Sequence, residues 1–74
     1  MSHEWTKPYF GVQHYGKSGR ASFWATVCDY KGFAEGNLWY PGCQFHPREF
    51  IFPDATIARE RMKAMVDQNE EGRS

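Results

Sequence analysis

The chain has 74 residues and a mass of 8.7 kDa, with nine Lys and Arg against nine Asp and Glu, so its formal charge at neutral pH is zero. A chain this short folds as one small domain and buries roughly 60% of its unfolded surface, too little to enclose a nucleotide-sized cofactor behind a complete core. That excludes a large enzyme fold, and no cofactor is implied. The sequence predicts a single domain over residues 1–74, with an ordered core from about residue 7 to 67. Three Trp, four Tyr and six Phe supply bulky core material, and two Cys are too few for a disulfide scaffold. The chain contains no apolar run of the roughly 20 residues that a membrane span needs, and its first residues lack the features of a signal peptide. A cytosolic location is therefore expected.

In chain order, Tyr9 to Tyr15 reads as a strand, ended by the glycine-rich turn Gly16-Lys17-Ser18-Gly19. Ala21 to Tyr30 reads as the second strand of that hairpin. Period-2 alternation sets Ala21, Phe23, Ala25 and Val27 on one face and Ser22, Trp24, Thr26, Cys28 and Tyr30 on the other, with the first face as the core side. Lys31 to Asn37 carries two glycines and an Asn and reads as a loop. Leu38-Trp39-Tyr40 reads as a short strand before a type II turn at Pro41-Gly42. Arg48 to Phe52 is a compact strand, stopped by Pro53.

Asp54 stands at the N-cap of a helix predicted from Ala55 to about Asp67. Ala55, Ala58, Met62, Met65 and Val66 make one apolar stripe along it, with Arg59, Glu60 and Lys63 opposite. Residues 68–74 contain no apolar side chain and read as a flexible tail. The predicted fold is thus α+β: a three- or four-stranded antiparallel sheet packed by one C-terminal helix.

Three sets of residues invite a chemical reading. Gly11 to Ser18 matches the letters of a phosphate-binding P-loop, yet a working P-loop leads straight into a helix whose amides face the phosphates, whereas a strand follows here. Gly16 to Gly19 likewise spells the GXXG of a KH domain without the helices that flank it. Cys28, Cys43, His46 and His14 are borderline-soft groups from which a zinc site is a secondary reading, but a second closely spaced pair is missing. The default is two free thiols and no metal. Cys43 and His46 as a nucleophile and base would need an orienting third group and a walled pocket, so no catalytic residues are assigned.

Binding is the remaining class. Aromatics and Arg most often anchor protein interfaces, which makes Trp5, Trp24, Tyr30, Trp39, Tyr40 and Arg48 the candidate partner-binding residues. The alternative is nucleic-acid binding through the exposed sheet face and the hairpin turn, with Lys7, Lys17, Arg20 and Lys31 meeting phosphates. Balanced charge opposes it, because affinity for phosphate backbones rests on several uncompensated cations. Homodimerisation through a sheet edge is a further possibility.

The order of elements, with Phe23 to Val27 and then Phe50 to Ala58, resembles the small three-stranded sheet-plus-helix domains at the N-terminus of phage-type integrases, which bind DNA. It is also similar to short phage and mobile-element proteins, anti-CRISPR proteins among them, that bind and block a host protein. The second resemblance implies a non-enzymatic inhibitor or modulator of a host complex, and neutrality and abundant aromatics favour it over DNA binding.

Overall fold

The computed structural model describes residues 3–43 and 45–72. Four strands, β1 (Val12–Gly16), β2 (Trp24–Tyr30), β3 (Phe33–Trp39) and β4 (Arg48–Phe52), form an antiparallel meander in the order β1-β2-β3-β4. One helix, α1 (Ala55–Glu71), closes one face. The α+β architecture read from the sequence is the observed one, with four strands.

The register explains which residues go inside. Tyr15, Ala25 and Leu38 align across three strands, as do Val27, Gly36 and Phe50, so each row points to the same side. That side meets α1. Tyr15, Ala25, Val27, Ala34 and Leu38 are buried against Ala55, Ala58, Met62 and Val66 of the helix, with Trp5, Phe23, Phe50, Phe52 and Met65 packed around them. β2 begins at Trp24, three residues later than expected, so Ala21 lies exposed and Phe23 packs on the core margin from the loop before it, while Ala25 and Val27 keep the expected core face. Asp54 caps the helix as its sequence position suggests, its side chain accepting from the Ile57 amide at 2.9 Å.

Four expectations are corrected. Residues 31–37 are mostly strand: Lys31 and Gly32 make a two-residue turn and β3 begins at Phe33. Gly36 earns a strand position through packing, since a Cβ there would meet the Met62 Cγ and Sδ at 2.7 Å. Only glycine lets the helix sit this close. Second, β1 starts three residues later than predicted, because Tyr9 pairs with Val12 across a Phe10-Gly11 turn. Third, α1 runs to Glu71, so residues 68–71 are helical and only 73 and 74 of the expected tail fall outside the described residues. Fourth, Arg59 and Lys63 do not stand clear of the sheet: Arg59 donates to the Gln13 Oε1 at 3.0 Å, and the Lys63 ammonium lies 5.6 Å from the Tyr15 ring centroid.

Tyr15 ties the sheet to the helix. Its hydroxyl donates to the Asp67 Oδ1 at 2.8 Å and accepts from the His3 amide at 3.3 Å, while Lys63 donates to the other Asp67 oxygen at 3.1 Å. Burial alone would raise the Asp67 carboxyl, but the hydrogen bonds from Tyr15 and Lys63 and the Lys63 charge outweigh it and hold Asp67 below the ordinary 3.8. Burial, aided by the bond to Asp67, pushes the Tyr15 phenol above its ordinary 10.0. A depressed carboxyl stabilises the fold above its unfolded value and loses that contribution as pH falls through the folded one. Tyr15→Phe is expected to cost about 1 kcal/mol at neutral pH. The same variant should flatten the loss of stability below pH 3.8, measured by urea unfolding across an acid series. Gly36→Val should cost about 1–3 kcal/mol by overpacking against Met62, read as a lower midpoint in the same experiment.

Candidate protein-binding surface

The face away from α1 carries Val12, His14, Trp24, Thr26, Cys28, Tyr30, Phe33, Glu35, Asn37, Trp39, Glu49 and Ile51, as strand alternation from the observed register requires. No helix covers it. Two aromatic groups occupy its ends. At one end His14, Trp24 and Trp39 stack across three strands, with centroids 5.6 Å and 5.0 Å apart and interplanar angles of 14° and 9°. The Trp39 indole N–H reaches the Thr26 hydroxyl at 3.4 Å, locking the row to the sheet. Both indoles are half-buried. Because the rings are stacked on one another, the central ring has no free face on which a nucleobase can stack.

The other end is more exposed. Tyr30 and Phe33 flank the β2–β3 turn and stack at 4.9 Å. Beside them the Phe10-Gly11 turn is held to β2 by the Asp29 amide, which donates to the Gly11 carbonyl at 2.9 Å. Its Tyr9 and Phe10 rings meet edge to face at 4.6 Å. Tyr9 is 75% exposed, Phe10 89%, Tyr30 48%, Phe33 40% and Ile51 61%. Among the described residues these are five of the six exposed large hydrophobics, and Phe45, in the loop before β4, is the other. Isolated exposed apolar residues such as Ile51 are ordinary, but the Tyr9–Phe10 and Tyr30–Phe33 pairs, brought to one end of the sheet by the Gly11–Asp29 bond, form the kind of group that marks an interaction site.

The backbone at this tip is strained. Phe10 has φ 51° and Gly11 φ 76°, the pattern of a type I′ turn, in which Asn-Gly is the favoured pair. A bulky side chain in this region costs about 1–2 kcal/mol, and Phe10 recovers nothing from the core, being almost wholly solvated.

Electrostatics separate the two binding readings. The strand residues of the open face include two charged groups, Glu35 and Glu49, and no Lys or Arg. Cys28 first and Glu35 second, both able to carry negative charge beside it, push the Tyr30 phenol above its ordinary 10.0. The four cations assigned to a nucleic-acid site are dispersed. Lys7 lies on the β1 edge between Thr6 and Tyr9, Lys17 and Arg20 in the β1–β2 loop, and Lys31 at the opposite end of the sheet.

The partner-binding residues expected from sequence are likewise divided. Trp24, Tyr30 and Trp39 share the open face, whereas Trp5 packs on Tyr15 with ring centroids 5.2 Å apart and belongs to the core margin. Tyr40 and Arg48 instead line an open groove of about 600 Å³ at the C-terminal end of α1, with Phe23, Leu38, Pro41 and Asn69. Tyr9, Phe10, Phe33 and Ile51 were not singled out by sequence. The one available signal was Phe10-Gly11 itself, where an x-Gly pair between two β-rich runs marks a turn.

Cys28, Cys43, His14 and His46 do not converge: no group of three His, Cys, Asp or Glu near enough to hold a metal occurs among the described residues. Cys28 is in β2, whereas Cys43 closes the Pro41-Gly42 turn, its amide donating to the Tyr40 carbonyl at 3.1 Å and its sulfur accepting from the Tyr40 amide at 3.5 Å. Gly11 to Ser18 forms β1 and the start of a loop, with β2 rather than a helix next. No protein-family model matches the chain, and no curated protein or solved structure matches it. The likenesses to integrase domains and to anti-CRISPR proteins thus stand on hydrophobic pattern alone. Cys28→Ser is expected to lower the Tyr30 phenol toward 10.0, followed by NMR titration of the Tyr30 ring.

Proposed function

We propose that this chain is a non-catalytic binding protein that engages a protein partner through the aromatic end of its open sheet face. The observation that carries the reading is Phe10, 89% exposed at positive φ against Tyr9, at the end of the sheet that also carries Tyr30 and Phe33. Strain that contributes nothing to the core points to a role outside it. Tyr and Phe here offer rigid apolar area of the kind that dominates interface energetics. The partner this end would take offers an apolar pocket for Phe10, and the open face's two carboxylates, Glu35 nearer this end and Glu49 toward the other, call for Lys or Arg facing the strands. Carboxylates at these positions repel a phosphate backbone, which favours protein over nucleic acid as the ligand. Inhibition or modulation of a host assembly, the role that the anti-CRISPR-like resemblance implies, is one use of such a surface.

A photo-crosslinking residue at Phe10 should capture one protein from source-cell lysate in stoichiometric yield, whereas the same residue at Glu60, on the outer side of α1, should not. Phe10→Asn creates the favoured Asn-Gly turn, so it should raise stability by up to about 1 kcal/mol while weakening the affinity for the captured protein, measured with the purified pair without crosslinking, more than tenfold. Opposite signs for the two effects distinguish an anchor from a packing residue. Salt-sensitive binding to DNA that is abolished by Lys17→Glu with Arg20→Glu, and untouched by Phe10→Asn, would reverse the assignment.

A further inference from the structure

The two edges of the sheet are treated differently. Along β1 the outward main chain is occupied: Val12 exchanges hydrogen bonds with Tyr9 at 2.9 and 3.0 Å, and His14 bonds Thr6 through its carbonyl at 3.0 Å and its amide at 2.9 Å. Along β4 it is not. Since Val12 turns its N–H and C=O away from β2, its partner Cys28 directs its own toward Glu35, and alternation then points those of Ala34, Gly36 and Leu38 toward β4. Arg48, Phe50 and Phe52 answer them, leaving the amides and carbonyls of Glu49 and Ile51 facing outward. Among the described residues no hydrogen bond outside the strand ladder reaches either one.

We infer that β4 is a self-pairing edge, and that two copies join antiparallel through it into one eight-stranded sheet. Twofold symmetry and the outward groups leave few registers. With Glu49 opposite Ile51 of the second copy, both residues on both strands exchange their N–H and C=O, giving four ladder bonds. A slip by two residues one way places Glu49 against Glu49, like charge on like, and Ile51 against Pro47. The slip the other way places Glu49 against Pro53. Neither proline has an N–H to give.

Side chains agree with this register on both faces. On the helix side Phe50 meets Phe50 at the twofold axis, and Arg48 faces Phe52 of the second copy. Within one chain Arg48 already lies 5.7 Å from the Phe50 centroid, so its guanidinium has a second ring to meet. There is room for this packing, because α1 lies chiefly over β2 and β3 and leaves Phe50 and Phe52 half-exposed. On the open side Ile51, 61% exposed, gains a covered position next to Glu49. A chain of zero net charge presents no long-range repulsion to its own copy.

Sedimentation equilibrium over a concentration series tests the inference. The expected mass is twice the 8.7 kDa of one chain, returning to 8.7 kDa for Ile51→Lys with its thermal midpoint unchanged. In a background with Cys28→Ser and Cys43→Ser, an equimolar mixture of Glu49→Cys and Ile51→Cys chains should oxidise to a mixed disulfide, since directly opposed residues are about 5.5 Å apart between Cα atoms. Neither variant alone should do so. A monomer at every concentration, a dimer indifferent to Ile51→Lys, or self-linking of either single variant would overturn the pairing. Phe10→Asn must leave the dimer intact, so loss of the partner-binding reading would not carry this one with it.

Discussion

One helix can cover only one side of four strands, and the division of residues between the covered and uncovered sides governs everything else in this molecule. The covered side takes small and branched groups, Ala25, Val27, Ala34, Gly36 and Leu38, under Ala55, Ala58, Met62 and Val66. These allow close approach. The uncovered side receives most of the strand aromatics, and they satisfy one another by stacking across strands in two groups, His14 with Trp24 and Trp39, and Tyr30 with Phe33. Such stacking removes part of each ring from water without a covering layer on that side. A two-layer domain of this size thereby keeps a large apolar surface in ordered form, available for association.

The two groups differ in how much they conceal. Trp24 and Trp39 are half-buried and anchored through Thr26, so their first role is to stabilise the open face. Tyr9 and Phe10 contribute little burial and impose a left-handed backbone on a bulky side chain. Stability and binding therefore make opposite demands at a single turn. The N-terminal segment that ends in this turn is fixed elsewhere, by Thr6 on His14, Trp5 on Tyr15 and His3 on Glu70. A firm base under a strained tip limits the entropy lost when the tip is gripped.

The sequence made the second half of the fold more legible than the first. Pro53-Asp54 punctuates β4 and α1 with local chemistry, a missing donor and then a capping carboxylate, and local signals survive without tertiary context. β3 is the reverse. Gly36 and Asn37 are poor strand formers, and they sit in a strand because Met62 requires an empty position above Gly36, a fact located 26 residues away. At the candidate site, alternation alone puts Trp24 and Tyr30 on one face, whereas Trp39, in a strand whose pairing register the sequence does not show, joins them only in the structure. Trp5 was not separable from them, since a tryptophan at a core margin and one at an interface look identical in a sequence. Phe10 is hidden for another reason: Tyr9 to Tyr15 is so rich in β-forming residues that its pattern masks the two-residue reversal within it.

The asymmetry between the edges bears on how association ends. A sheet with two bare edges can add copies indefinitely, and pairing of unlike edges gives an open chain of subunits. Here the segment from Thr6 to Tyr9 occupies the outward groups of β1, so that edge offers no matching ladder. β4 remains, five residues long between Pro47 and Pro53. An edge that pairs only with itself closes at two copies. The prolines also fix the length of the ladder, so neither a longer foreign strand nor a shifted copy gains additional bonds beyond it. The chain thus has the features expected of a surface that associates once and stops, while its aromatic ends, carried at opposite extremes of such a pair, remain free for other partners.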